Sequence, residues 1–300
     1  MLWGKNSSVL IFPEAGYTFD GTKTTLPDTL GKVSKMMGVP VVTIITHGAF
    51  LRQPLYNNLN KRQVNVSATM ECLFSAEQIQ SATAEEIQRA IEEKFGFDDF
   101  RFQQENKIKI DNGNRADYLN RLLYKCPHCL CEGRTYGKGE SITCTACKKS
   151  YRLDEYGHLV SEGGFFTHIP DWYAWERECV KEELDSGTYN IDIPVDICMS
   201  VDTKHIYSVG KGRLTHNLEG IHIVSDDGEI DYLHKPQASY SICSDYNWYE
   251  IGDVICVGNR NEIFYCFPKC GGDIVTKVRL GVEELYKIVM SQKREKKQDR

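Results

Sequence analysis

Two C-x-x-C pairs, Cys126-Pro127-His128-Cys129 and Cys144-Thr145-Ala146-Cys147, stand fourteen residues apart in a segment rich in glycine and poor in apolar residues. No other feature constrains the fold as strongly. A C-x-x-C turn aims two thiolates at one centre, and zinc takes four such ligands in a tetrahedron. The stretch from Tyr124 to about Leu159 has too few apolar residues to build a core of its own. The expectation is a zinc ribbon whose turns are permitted by Gly133, Gly137 and Gly139. Unligated thiol pairs and a redox C-x-x-C are the alternatives, but a redox pair normally stands alone beside a βαβ pattern. Cys131 and His128 are the nearby substitutes as ligands, and both fit the spacing less well. Cys126, Cys129, Cys144 and Cys147 are therefore the expected ligands of a structural zinc, with no coordination position open for catalysis. Cys266 and Cys270 have no second pair at ligand spacing and read as buried or edge thiols.

A chain of 300 residues exceeds one typical domain. Its 41% hydrophobic and 26% charged residues are ordinary for a globular protein, and its formal charge of −6 weighs against nucleic acid as a partner. Lys148, Lys149, Arg152 and Arg134 supply only local positive charge near the ribbon. Twelve cysteines behind an opening, Met1-Leu2-Trp3-Gly4-Lys5-Asn6, that does not resemble a signal peptide point to a reducing, cytoplasmic setting. No apolar run approaches the length of a membrane span.

Four segments are expected: an α/β region over residues 1–122, the ribbon over 123–160, a β-rich α+β domain over 161–292, and a disordered basic tail over 293–300. In the first, Ser8–Phe12 reads as a buried strand, Leu30–Met37 as a helix stopped by Gly38 and Pro40, and Val39–Ile45 as a second buried strand. Together they make a βαβ unit with a parallel sheet. Val64–Ala68 reads as a third strand, and Ala84–Phe95 as a helix with Ile87, Ala90, Ile91 and Phe95 on one face. A parallel strand buried on both faces needs more neighbours than this region supplies, so it is expected to be the back half of a larger domain.

In the third segment a helix over Trp172–Leu184 places Trp172, Trp175 and Cys179 on one face. Six strand-like runs come after it, at Ile206–Val209, Gly220–Val224, Ile230–Leu233, Ser239–Cys243, Asp253–Val257 and Glu262–Phe267, with Trp248 and Tyr249 as core. A helix from about Asp273 to Met290 closes a curled antiparallel sheet, an architecture loosely similar to the pleckstrin-homology type. Phe165, Phe166, Trp172, Tyr173 and Trp175 could pack between ribbon and sheet or dip into a lipid interface, packing being favoured.

The loop Phe12-Pro13-Glu14-Ala15-Gly16-Tyr17-Thr18-Phe19-Asp20-Gly21 succeeds the first expected strand, where α/β folds place their ligands. Gly16 and Gly21 allow backbone N–H groups to converge, Thr18 offers a hydroxyl and Lys23 a charge, which suits an anion. The block resembles the F-P-E-G-T-R-S motif of the glycerolipid acyltransferases that include 1-acylglycerol-3-phosphate acyltransferases, and Gly38-Val39-Pro40-Val41-Val42 is similar to that family's next block, a V-P-V strand. The likeness covers about Ser8 to Ile110.

The resemblance implies an acyltransferase of phospholipid biosynthesis using acyl-CoA or acyl-carrier protein on a lysophosphatidate-like acceptor. It also implies a cytoplasmic protein with peripheral contact at the inner membrane face. Glu14 matches the family's glutamate beside the glycerol phosphate, and Gly16 lies in the same loop. The family's phosphate-binding arginine falls at Tyr17, leaving Thr18, Lys23 or Arg52 to compensate. The substrate loop is thus Glu14, Gly16, Tyr17, Thr18 and Lys23. The catalytic H-x-x-x-x-D is not found before this block; His222 to Asp227 has that spacing but lies in an expected hairpin on the wrong side of the motif. The expectation is a chain without the general base, truncated at its N-terminus and inactive alone. His47, at the end of the second strand, could contact phosphate or be structural. The competing expectation is a binding module in which ribbon and β domain recruit a protein or a lipid headgroup.

Overall fold

The structure is a computed structural model that describes residues 8–14, 16–201, 205–259, 261–270 and 273–298, with side chains to residue 295. The helical signals of the first hundred residues translate directly. Helix α1 (Leu30–Met37) ends where Gly38 turns left-handed at φ 64° and returns its N–H to the Ser34 carbonyl. Helices α3 (Ala76–Ser81) and α4 (Ala84–Lys94) each open on a reciprocal capping box, Ser75 with Gln78 and Thr83 with Glu86. Earlier in sequence, after α1, lie strands β1 (Val41–His47) and β2 (Ser67–Phe74), which pair, and a one-turn helix α2 (Ala49–Arg52).

The chain divides into two compact units. The smaller comprises Met1–Thr18, Lys23–Ile45 and Ala68–Phe97. Its core is Ile79, Ile87 and Ile91 with Leu30, Val41, Leu73 and Phe95 against them. Helices α1 and α4 approach closely because Gly31 has no side chain: a Cβ there would sit 2.0 Å from the Ala84 carbonyl oxygen. Gln88 closes the contact, accepting from Gly31 N–H at 2.8 Å and donating to Pro27 O at 3.0 Å.

The opening strand expected at Ser8–Phe12 does not form. Those residues are irregular, and Val9, Leu10, Ile11 and Phe12 are all exposed. A continuous apolar run lacks the alternation that would assign it to one face, so the expected βαβ unit is not built among the described residues. Nor is β1 buried on both faces, since Val42 and Ile44 are exposed. The third expected strand begins only at Ser67.

The larger unit comprises Phe19–Thr22, Thr46–Ser67 and Asp98–Arg300. The boundary expected at residue 122 is corrected by it. Residues 46–67 and 98–122 pack together and with the C-terminal half of the chain: Tyr56 Oη donates to Arg115 O at 2.9 Å, and Leu119, Leu122 and Leu123 are wholly buried. They share one core with Ile142, Tyr151, Trp172, Ile197 and Leu214, so the segments 123–160 and 161–292 are not separate domains either.

This unit holds helix α5 (Asp99–Glu105) and an antiparallel sheet ordered β3 (Thr135–Lys138), β4 (Ser141–Cys144), β5 (Ser150–Leu153) and β6 (Leu159–Val160). Helix α6 (Ile169–Asp185) is next. Then come β7 (Ile191–Ser200), β8 (Tyr207–Asn217), β9 (Gly220–Ser225), β10 (Asp231–His234), β11 (Cys243–Trp248), β12 (Gly252–Gly258) and β13 (Ile263–Pro268). These seven form one antiparallel sheet in which a four-strand meander and a three-strand meander join through β13 pairing with β7. The long helix α7 (Val275–Gln298) completes it.

Helices and antiparallel sheets are thus as expected for the C-terminal half, with four corrections. Helix α6 buries Trp172, Tyr173, Glu176, Val180 and Leu184, leaving Trp175 and Cys179 only half-buried. The run Ser239–Cys243 is not a strand, which starts at Cys243. Tyr249 is 80% exposed and not core. Residues 293–298, expected as a frayed tail, continue α7, and 299–300 lie outside the described residues. No described helix is long and apolar enough to cross a membrane.

Candidate metal centre

The four cysteine sulfurs converge. Cys126, Cys129, Cys144 and Cys147 place their Sγ atoms within 4.8 Å of one another, with 3.6 Å separating Cys126 from Cys147 and Cys129 from Cys144. Cys126 and Cys144 are buried, Cys129 is half-buried and Cys147 is exposed. The grouping can hold a metal ion in a thiolate tetrahedron.

Two backbone turns of the same construction produce this convergence. In the first, Leu130 N–H donates to Cys126 O and Cys126 N–H to Cys131 O, both at 2.9 Å. In the second, Lys148 N–H donates to Cys144 O at 2.9 Å and Cys144 N–H to Lys149 O at 2.8 Å. The residue after each second cysteine is left-handed, Leu130 at φ 61° and Lys148 at φ 65°, which turns the chain back over the sulfurs. The glycines divide their work. Gly133 and Gly139 are left-handed turn residues, whereas Gly137 is a close approach, where a Cβ would lie 2.4 Å from Ala116 O.

The two turns treat their first cysteines differently. Burial pushes the Cys126 thiol up to about 12 despite the N–H groups of Cys129 and His128. Burial also opposes ionisation of Cys144, but the N–H groups of Cys147 and Ala146 and the neighbouring thiols outweigh it and bring Cys144 down to about 7. N–H groups aimed at sulfur stabilise the thiolate form that a metal requires.

The two possible substitute ligands are engaged elsewhere or apart. His128 Nε2 meets Tyr151 Oη at 2.9 Å and its ring packs edge-on against Phe165. Cys131 is not in the sulfur cluster.

Trp172, noted in the sequence only for its aromatic face, and Glu176, not singled out there, anchor the first turn. Trp172 Nε1 donates to Lys125 O at 2.9 Å, and Lys125 N–H donates to Glu176 Oε1 at 2.8 Å. Helix α6 therefore grips both backbone groups of the residue before the first ligand. Glu176 is wholly buried, and that burial holds its carboxyl well above the usual carboxylate range. Lys125 and Lys277 alternate with Glu132 and Glu183 in a partly buried ion-pair ring beside it. The aromatic residues near the ribbon pack as expected, Phe166 stacking on Trp172 and Trp172 meeting Tyr151, with Phe165 left exposed.

Compared with known proteins, the chain matches no family model and no curated protein.

The residues expected to hold an acceptor phosphate lie in the smaller unit. The Glu14 carboxylate turns back onto its own loop, accepting from Thr24 N–H at 2.8 Å and Thr24 Oγ1 at 3.2 Å. Gly16 and Tyr17 are exposed, Thr18 is half-buried, and Lys23 Nζ donates to Glu92 O at 3.1 Å. Of the larger unit's candidates, Arg52 spends its guanidinium on Val64 O at 3.2 Å, and His47 stacks on Phe102 at 5.3 Å. His222 and Asp227 do not form a dyad: His222 Nε2 meets Asp231 at 2.6 Å, while Asp227 accepts from Ser225 Oγ. Cys266 is fully buried, as expected of a core thiol.

Proposed function

We propose that the four thiolates hold a structural zinc ion, and that the chain serves as the acceptor-binding side of an acyltransferase of phospholipid biosynthesis. The observation that carries the zinc assignment is the sulfur spacing. Zinc–sulfur bonds of about 2.3 Å in a tetrahedron place sulfurs about 3.8 Å apart, close to the 3.6 Å pairs found here. Soft thiolates in a tetrahedral set select zinc over oxygen-seeking cations. When bound, the ion would cross-link the two turns, and four protein ligands leave it no position for substrate. Metal analysis of the purified chain tests this: one zinc per chain is expected, and none after Cys144→Ser. Zinc content unchanged in that variant would overturn the assignment.

The acceptor reading rests on the resemblance of the Phe12–Gly21 loop and is supported by the way Glu14 fastens that loop across ten residues to Thr24. The acceptor would be a lysophosphatidate-like phospholipid, with acyl-CoA or acyl-carrier protein as donor. Acceptor binding is the part of that chemistry assigned to this loop. Calorimetric titration with lysophosphatidate is expected to saturate for the wild type and weaken for Glu14→Ala at equal zinc content. Absence of binding would overturn the acceptor reading.

One observation favours a second reading. The small sheet beside the sulfur cluster, through Ile142, Tyr151, Leu153 and Leu159, and the seven-stranded sheet share a single core, as a binding module for a protein or lipid headgroup would require. Its test uses the full chain, because residues 46–67 and 98–122 are part of that core. Capture of a discrete partner that is lost on zinc removal supports this reading; lysophosphatidate binding insensitive to zinc counts against it.

A further inference from the structure

Strands β11 and β12 bring two cysteines face to face. Cys243 and Cys256 are direct partners in the antiparallel register, two residues outside the irregularity between Asp245 and Trp248. Directly opposed residues point to the same side of a sheet, with Cβ atoms about 4.5–5.5 Å apart and Cα atoms about 4.5–5.5 Å apart. Disulfides span Cα separations of about 4.4–6.8 Å and Cβ separations of about 3.5–4.5 Å, so the backbone spacing already suits a bridge and closure asks the Cβ atoms to approach by roughly 1 Å.

The other thiols of the sheet cannot take this place. Cys198 pairs with Tyr265, which in turn pairs with Cys256, so Cys198 is two strands away from Cys256. Cys266 pairs with Ile255, the neighbour of Cys256, and so belongs to the opposite face. Access is asymmetric as well. Strand β11 is the sheet edge, Cys243 is exposed, and Cys256 is buried beneath it. An exposed thiol next to a sheltered partner is the arrangement of a peroxide-oxidised cysteine with a resolving cysteine.

We propose that Cys243 and Cys256 form an oxidation site for hydrogen peroxide, closing a reversible disulfide across the edge hairpin. The Cys243 sulfur attacks one peroxide oxygen, the O–O bond breaks, and a sulfenic acid and water result. The Cys256 sulfur then attacks the Cys243 sulfur, the S–O bond breaks, and the hydroxyl leaves as water with the thiol proton. Two thiols and one peroxide become one disulfide and two waters, and a dithiol reductant reverses the change. The link encloses residues 244–255, including the turn that exposes Tyr249 and Ile251, and ties the edge strand to its neighbour.

The test treats the full, zinc-loaded chain with one equivalent of hydrogen peroxide, blocks remaining thiols and maps peptides by mass spectrometry. A peptide joining Cys243 to Cys256 is expected, separate from any product of the four clustered cysteines and absent from Cys243→Ser and Cys256→Ser. In Cys256→Ser, a 1,3-dicarbonyl probe is expected to trap Cys243 as sulfenic acid. Hydrogen exchange across residues 244–255 is expected to slow on oxidation and to recover with dithiothreitol. Oxidation of Cys243 to sulfinic acid with Cys256 still free, or no modification at either position, would overturn the proposal.

Discussion

Removing the metal should melt the two cysteine turns and spare the sheet beside them. The turns span residues 126–131 and 144–149, twelve residues in all, and ordering their backbone costs about 12–24 kcal/mol at roughly 1–2 kcal/mol each. Against that cost they bury only Cys126, Pro127 and Cys144. The strands are different. Ile142, Tyr151, Leu153 and Leu159 are each no more than 2% exposed, and their burial is worth about 1.5–3 kcal/mol apiece, or roughly 6–12 kcal/mol together. Metal binding in zinc peptides contributes about 10–16 kcal/mol, on the order of the turns' ordering cost.

Hydrogen exchange on the full chain, before and after chelation, separates the two parts. The N–H groups of Leu130 and Lys148, bonded to Cys126 O and Cys144 O, report on the turns. Those of Leu153 and Leu159, bonded to Glu140 O and Thr167 O, report on the strands. With free zinc initially near 1,000 times its dissociation constant, chelation should remove about 4 kcal/mol, on the order of a thousandfold in protection, from the first pair. The second pair should change by less than about tenfold, or about 1.4 kcal/mol. Loss at all four amides together would show that the strands have no metal-independent core, and loss at none would show that no metal organises the turns.

Replacing Arg177 by Met should destabilise the larger unit by about 3–5 kcal/mol in urea denaturation, because it strips the buried Glu283 and Glu284 of a guanidinium 2.8 Å from each; a loss under about 1 kcal/mol would contradict this. Gly31→Ala gains about 1 kcal/mol of helix propensity but drives a methyl into the Ala84 carbonyl at 2.0 Å, so the smaller unit should lose exchange protection, and a stabilised variant would count against that packing. Burial raises the Asp99 carboxyl to about 7, despite the Gly48 N–H that it accepts. A carboxyl with a raised folded-state pKa keeps its proton while the unfolded chain loses it, so wild-type stability should fall as pH rises from the ordinary aspartate range to about 7. Asp99→Asn lacks this effect and should gain on the wild type across that window by no more than about 1.4 kcal/mol per pH unit; parallel pH profiles would refute the shift.

What was legible in the sequence is what local chemistry alone decides. The cysteine cluster comes from spacing, and α1 and α4 come from period and caps, because Gly38, Thr83 and Glu86 act within a few residues of themselves. Strand β7 was hidden despite its alternating Ile191, Ile193, Val195 and Ile197, since Pro194 argues against a central strand. The sheet tolerates it in the middle of the ladder opposite Arg213. Helix α6 misled by its aromatics: Trp172 and Trp175 suggest one face, but the buried face runs through Glu176, whose backbone partner at Lys125 is 51 residues away. The Ser8–Phe12 run failed for the opposite reason, because strong local hydrophobicity is no substitute for a strand to pair with. Nothing local announced that residues 46–67 and 98–122 join the larger unit, since contacts such as Asn57 Nδ2 to Asp117 O bridge 60 positions.

The two cysteine turns share a construction but not a foundation, and this predicts the order in which they open. The first begins at Lys125, whose carbonyl is held by Trp172 and whose N–H is held by Glu176, so α6 fixes its entry whether or not metal is bound. The second is held by its own strands, with Thr145 N–H and Oγ1 both donating to Arg134 O, and α6 makes no such contact to it among the described residues. It links β4 to β5, and its last ligand, Cys147, is exposed while Cys126 is 1% exposed. As metal leaves, the sulfur that first loses its bond should be the one most open to solvent. Thiol labelling during slow chelation should therefore modify Cys147 before Cys126, with Cys129 between them, as read by mass spectrometry at successive times. Trp172→Phe removes the indole donor and should narrow that gap by freeing the first turn. Simultaneous labelling of all four in the wild type would mean that α6 does not steady the site.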